Sequence, residues 1–288
     1  MVSVKVRKAT FAGSWYPGSA TECQKEIKGF LKQAKDASMA GKTFTGGIVP
    51  HAGWYFSGSI ACSVFNCLQA GQAPDVIVVF GMHLHPGSPC YLMADGAWET
   101  PFGPIEIEKT LAGELAKQFT FKIETAEKFT RDNTIELQLP FIKYFFKDAK
   151  LVPIGVPPTK TSLEIGKAVV DIATRLGQRV KVIGSTDLTH YGYNYGFVSK
   201  GTGPAAVEWV RNQNDRRVID AMLAMDPDSV IREALANQNA CCSGAAATAI
   251  AAAKQLGAHV AETIAYATSY DKSPDDSFVG YVGIVFKM

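Results

Sequence analysis

Apolar positions along the chain follow two periods. Short apolar runs of strand length lie at 45–50, 75–80, 150–156 and 180–184. Between them, apolar residues recur every three or four positions, the spacing of a helix with one buried face. Ala20 to Ala37, with Ile27, Phe30, Leu31 and Ala34, predicts a surface helix. Ser57 to Ala70, with Ile60, Val64, Phe65 and Leu68, predicts a second, ended by Gly71-Gln-Ala-Pro74. Strand, helix and strand over 45–80 form a β-α-β unit, which implies a parallel sheet with a right-handed crossover. Further helices are predicted over Leu111–Gln118, Leu163–Leu176, Ala205–Met225, Pro227–Ala236 and Gly244–Leu256. The last is dominated by alanine and is suited to close approach to a sheet. Asn133 to Phe145 reads as a loop leading into a helix interrupted by Pro140, and Ala261–Thr268 and Ser277–Phe286 read as closing strands. Tyr91–Ala94 and Ile105–Ile107 read as short strands of a hairpin or edge excursion around Thr100-Pro-Phe-Gly103, and Ala12-Gly-Ser-Trp-Tyr-Pro17 as a loop. The alternation predicts an α/β layered fold, one domain over 1–288 with a mostly parallel central sheet flanked by helices.

Composition narrows the class. The chain has 288 residues, 47% of them hydrophobic, with no Pro/Ser-rich linker or repeat. A net charge of +2 without a long basic run argues against a nucleic-acid partner. Met1 to Lys8 has no apolar core of signal-peptide length, and Gly244 to Ala253 is too short to span a bilayer. A soluble cytoplasmic protein without a membrane partner is expected, with Cys23, Cys62, Cys67, Cys90, Cys241 and Cys242 as reduced thiols. No CxxC pair points to a structural zinc knuckle.

Chemistry concentrates where strands stop. His51 follows the strand at 45–50, His83 and His85 follow that at 75–80, and Asp187 and His190 follow that at 180–184. Open α/β sheets bind ligands beyond the carboxyl ends of their strands. Each histidine alone also reads as a hydrogen-bonded loop residue; their joint placement points to one site. Imidazole suits zinc, copper, iron and nickel. His83 and His85 share a side if the segment stays extended. Asp187 reads as a cap or as a metal ligand or the partner of one, and His190 as a general acid/base. Two histidines and a carboxylate with open positions form the pattern of non-haem Fe(II) oxygenases. Cys241 or Cys242, ahead of the Ala-rich helix, is a candidate thiolate ligand, or both are small buried fillers; adjacent cysteines are not expected to ligate together. Asn133 and Glu136 read as capping polarity or as site residues. Trp15, Tyr16, Trp54 and Tyr55 read as pocket wall or core. There is no GxSxG elbow, phosphate loop or GxGxxG.

These residues together resemble the Memo family, the system protein B of the AmmeMemoRadiSam group, which is similar in fold to the class III LigB-type extradiol dioxygenases. The resemblance covers essentially the whole chain. Its motifs are Ala12-Gly-Ser-Trp-Tyr-Pro17, Val49-Pro-His-Ala-Gly-Trp54, Gly81 to His85, Glu99-Thr-Pro101, Ile135-Glu-Leu-Gln-Leu-Pro140, Ser185-Thr-Asp-Leu-Thr-His190, the Cys241 region and Val279-Gly-Tyr281. It implies His51, His85 and Cys241 as metal ligands, the cysteine standing where the dioxygenases have a glutamate. It implies Asp187 and His190 as catalytic, with His190 the acid/base. Trp15, Tyr16, Trp54 and Asn133 are expected at the substrate. The family pattern G-x-S-H-H reads Gly-Met-His-Leu-His here, Asn133 replaces a frequent histidine, and Cys242 replaces a frequent glycine. The implied function is a non-haem Fe(II) oxidoreductase, dioxygenase-like, acting on a small aromatic molecule. Copper or zinc are the alternative metals. A peptide or phosphopeptide adaptor and a metal carrier are the alternative functions; the absence of arginine from the motif segments counts against the phosphopeptide.

Overall fold

The computed structural model describes residues 4–33 and 42–288. In chain order the elements are β1 (Val6–Arg7), α1 (Ala20–Gln33), β2 (Phe44–Val49), α2 (Trp54–Cys67), β3 (Val76–Gly81), β4 (Cys90–Met93), β5 (Ala97–Trp98), β6 (Ile105–Glu106), α3 (Lys109–Gln118) and β7 (Phe121–Glu124). Then come α4 (Asn133–Glu136), α5 (Leu139–Phe145), β8 (Lys150–Gly155), α6 (Lys160–Arg175), β9 (Val180–Ser185), β10 (His190–Tyr191), α7 (Pro204–Trp209), α8 (Asp215–Leu223), α9 (Pro227–Asn237), α10 (Ser243–Gln255), β11 (Val260–Thr268) and β12 (Phe278–Lys287). The end of the first predicted helix, 34–37, lies outside the described residues.

Four strands form the parallel centre of a nine-stranded sheet, in the order β2, β9, β3, β8. β12 runs antiparallel beside β2 and carries β10 and β11; β4 runs antiparallel beside β8 and carries β7 in parallel. Side chains alternate across this sheet. Val76, Val78 and Phe80 pack with α6 and α10, while Ile77 and Val79 pack with α2 and α5. The α/β layered fold expected from the alternation is the one observed. The Ala-rich α10 approaches the sheet closely. A Cβ on Gly184 would sit 2.8 Å from the Ala245 carbonyl oxygen, and one on Gly244 would sit 2.5 Å from that of Val156.

The 90–109 excursion differs in its pairing. Tyr91–Ala94 and Ile105–Ile107 do not pair with each other. β4 joins the main sheet against β8, and β6 pairs with β5 in a separate three-stranded sheet with β1. The turn at 100–103 is as expected: the Thr100 hydroxyl donates to the Gly103 carbonyl at 2.6 Å, and Gly103 has φ +100°. Pattern alone cannot tell which of two short apolar runs meets a given partner. The predicted helix over 205–225 is broken into α7 and α8 by a wider π turn at Val210–Asn214. Buried Asn214 there donates to the Thr189 hydroxyl and the Asn237 carbonyl. No helix among the described residues is long and apolar enough to cross a membrane.

Candidate metal centre

Parallel pairing of β2 with β9 sets Val49 beside Ser185, so the segments leaving both strands are neighbours. The His51 backbone N–H donates to Asp187 Oδ1 at 2.7 Å. The buried His51 ring lies with Nδ1 3.1 Å from Ser185 Oγ. That hydroxyl donates its hydrogen to the Thr134 carbonyl at 2.7 Å. Its lone pair therefore faces His51, so Nδ1 carries the hydrogen and Nε2 is left bare in the neutral ring. Nε2 lies 3.3 Å from Cys241 Sγ.

β3 delivers the second imidazole. Beyond it Met82 takes a left-handed φ of +72°, costly for a non-glycine residue. Its N–H donates to Thr134 Oγ1 at 2.7 Å, which holds the turn. His83 then packs edge-on against His51, ring centroids 5.0 Å apart, with Nδ1 3.5 Å from Asp132 Oδ2. His85 is not brought to the site. It is exposed in a small turn, its N–H donating to the Ser88 hydroxyl and its carbonyl accepting from the Ser88 N–H. His83, not the expected His85, stands beside His51 and the two cysteines. Met82 ends the extended backbone, so the two histidines no longer share a side.

The sulfurs come from the start of α10. The Cys241 N–H donates to the Asp187 carbonyl and the Cys242 N–H to Thr186 Oγ1. Ligand atoms of His51, His83, Cys241 and Cys242 all lie within 4.8 Å of one another. Both cysteines are present where one was expected.

The group borders a cleft of about 550 Å³, lined by Trp15, Asn133, Asp187, His190, Tyr195 and Tyr281 among others. His190 Nδ1 lies 3.2 Å from the Leu188 carbonyl, and Asn133 donates to the His51 carbonyl at 3.0 Å. Tyr16 and Trp54, expected at the substrate, are core instead. Trp54 stacks on Phe141 with centroids 4.2 Å apart, and the Tyr16 hydroxyl donates to Glu136. Asp132, which pattern reading passes over, supports His83; Glu136, read as capping polarity or as a site residue, instead anchors the 10–16 loop. The signal for Asp132 is the Asp-Asn-Thr cap spelling ahead of α4.

Residues 7–285 match the family of Memo-like proteins. The chain belongs to the Memo family. Similar relatives are MEMO1 family proteins of Pyrococcus furiosus, 33% identical over 293 residues covering 98% of this chain and 99% of the relative, and of Thermococcus onnurineus, 34% identical with the same coverage. A solved structure of an uncharacterized Escherichia coli K12 protein superposes with TM-score 0.53 at 12% identity, over 78% of this chain and 91% of that one. That likeness concerns the fold alone.

In this Memo-family centre, one acidified thiol lies beside two imidazoles whose proton affinity is raised. Burial opposes ionisation of Cys241, but the Cys242 thiol and the two imidazoles outweigh it and hold Cys241 well below the ordinary thiol range. Burial and the Cys241 charge push Cys242 well above it. Burial also opposes charging of His83, yet Asp132 and Cys241 push it up to about 10.

Burial opposes charging of His51 too, but Asp187 and Cys241 raise its pKa, so a metal must expel protons from both imidazoles and its affinity is expected to climb with pH through the neutral range. Chelator competition across pH checks this; a flat profile would contradict it. Asp132→Asn is expected to flatten that climb. At alkaline pH, where protons no longer compete, it should weaken binding by about 10–100-fold, because the imidazole loses the carboxylate that orients it.

Proposed function

We propose that this Memo-family protein is a metal-dependent oxidoreductase that holds one first-row transition metal at His51, His83 and Cys241, with iron(II) the leading candidate over copper and zinc. The carrying observation is the convergence of the His51, His83, Cys241 and Cys242 donor atoms within 4.8 Å of one another beside an open cleft. Cys241 is held below and Cys242 above the ordinary thiol range, which favours a donor set of two imidazoles and one thiolate. Closed structural sites use four protein ligands; catalytic ones keep a position open. The bare Nε2 of His51 and the thiolate fit all three metals. When bound, the metal supplies electron transfer and Lewis acidity.

The chain's own groups supply the rest. Asp187 fixes the His51 backbone. His190, with Nδ1–H given to the Leu188 carbonyl, offers Nε2 as the acceptor for a substrate hydroxyl proton. Trp15, Tyr195 and Tyr281 line the cleft and favour a small aromatic substrate. Among the described residues no arginine or lysine lines it, which speaks against an anionic peptide. Six free thiols support the cytoplasmic location expected.

Competitive loading with iron(II), copper(I) and zinc(II), read by metal mass spectrometry, tests the site, and a catechol screen under air tests turnover. His190→Ala is expected to keep its metal and lose at least about 100-fold in turnover, the usual weight of a general acid/base. Metal-free wild-type protein would end the proposal, and bound metal without turnover would favour a carrier.

A further inference from the structure

We propose that Cys241 and Cys242 form a reversible vicinal disulfide under peroxide, and that this oxidation releases the metal. The two sulfurs lie 3.8 Å apart with nothing between them. Cys241 is partly exposed and touches His51, which borders the cleft, while Cys242 is buried behind it. The more accessible sulfur thus meets the oxidant and its neighbour is placed to resolve the product. No other cysteine competes: Cys23, Cys62, Cys67 and Cys90 are buried in α1, α2 and β4. Cys242 stands at the cap of α10 with φ −125° and ψ 54°, outside helical geometry, so closing the ring does not require unwinding a helical turn.

The chemistry balances with a hydroperoxide as oxidant. The Cys241 sulfur attacks the peroxide; an S–O bond forms, the O–O bond breaks, and an alcohol or water leaves. The Cys242 sulfur then attacks that of Cys241. The S–S bond forms, the S–O bond breaks, and the hydroxyl departs as water with the Cys242 hydrogen. Two electrons pass from the sulfur pair to the peroxide. Neighbouring Cα atoms lie about 3.8 Å apart, below the about 4.4 Å at which ordinary disulfides begin. The bond is therefore strained, and strained disulfides are the easily reduced, regulatory kind. A disulfide sulfur is no thiolate, so only His51 and His83 would remain to hold a metal. That second half rests on the proposed metal site; the disulfide itself does not.

The full chain, metal-free, is treated with hydrogen peroxide, labelled with N-ethylmaleimide after unfolding, and read by peptide mass spectrometry. The peptide carrying Cys241 and Cys242 is expected to lose both labels and to regain both after dithiothreitol, with the other cysteines fully labelled. Cys242→Ser, checked for native circular dichroism, is expected to trap Cys241 as a dimedone adduct instead. Wild-type protein that gives the same adduct while Cys242 stays labelled overturns the proposal, as does a disulfide between two chains. In the second arm, zinc is loaded, since it takes no part in redox chemistry. Oxidation is expected to release it and reduction to restore uptake. A disulfide that forms while zinc stays bound overturns the release step, and protein that never binds zinc, iron or copper overturns the metal reading alone.

Discussion

Replacing His51 by alanine is expected to empty the metal centre, with an affinity loss exceeding the about 10–100-fold that follows when only the group behind a ligand is removed. Of the proposed ligands, His51 has the least freedom. Its ring is buried, its Nδ1–H is held by Ser185, its backbone N–H by Asp187, and its carbonyl by Asn133. These restraints aim Nε2 at Cys241 before any metal arrives, so little ordering entropy remains to be lost on binding. Removing the ring leaves His83, itself partly exposed, and the cysteines. The backbone bonds survive the substitution, so the variant should fold. Metal content of folded His51→Ala, matched against wild type under competitive loading, decides the matter: undiminished metal would remove His51 from the site and the proposed function with it.

Glu136→Ala is expected to cost about 2–6 kcal/mol of stability, because it leaves at least the buried Phe11 N–H and Tyr16 hydroxyl without their acceptor. The Glu136 carboxylate accepts from the Thr10 N–H and Phe11 N–H, both at 2.7 Å, from the Thr10 hydroxyl at 2.8 Å and from the Tyr16 hydroxyl at 3.2 Å. Each donor that stays buried without an acceptor is unfavourable by about 1–3 kcal/mol. Against a total stability of about 5–15 kcal/mol, this would leave a marginal fold. The effect should also reach the cleft. Glu136 ties residues 10–16 to α4, and that loop carries Trp15, whose carbonyl accepts the Trp54 N–H at 2.8 Å. Urea unfolding measures the loss, and Trp15 fluorescence should report a loosened loop. Glu136→Gln, which keeps one acceptor oxygen, should lose markedly less. A change below about 1 kcal/mol in Glu136→Ala would mean that water replaces the carboxylate at no penalty, and the anchoring role would be wrong.

Local pattern carried the architecture because its causes are local. A run such as Val76-Ile-Val-Val-Phe80 between helix-period stretches can be buried on both faces only as a central strand, and it is. Knowing where strands end was enough to bring His51, Asp187 and His190 to one cleft, since parallel strands deliver their carboxyl ends to one edge. The Ala-rich stretch announced a helix that lies close on the sheet, and with it a cysteine beside His51.

Which side chains enter the site was decided elsewhere. His83 rather than His85 faces Cys241 because Met82 takes a left-handed turn held by Thr134, a contact across 52 positions. Tyr16 went to the core because Glu136, 120 positions away, offers its hydroxyl an acceptor, and Trp54 because Phe141 stacks on it. Cys242 joined Cys241 because the Thr186 hydroxyl fixes its backbone N–H. By itself, then, the sequence of this Memo-family protein determined its central strands, its main helices and the edge at which chemistry collects. Only the tertiary structure decided which imidazole, which aromatics and how many sulfurs reach that edge. Periodicity reports which face of an element is buried, whereas the direction of a side chain in a loop depends on the distant group that anchors its backbone.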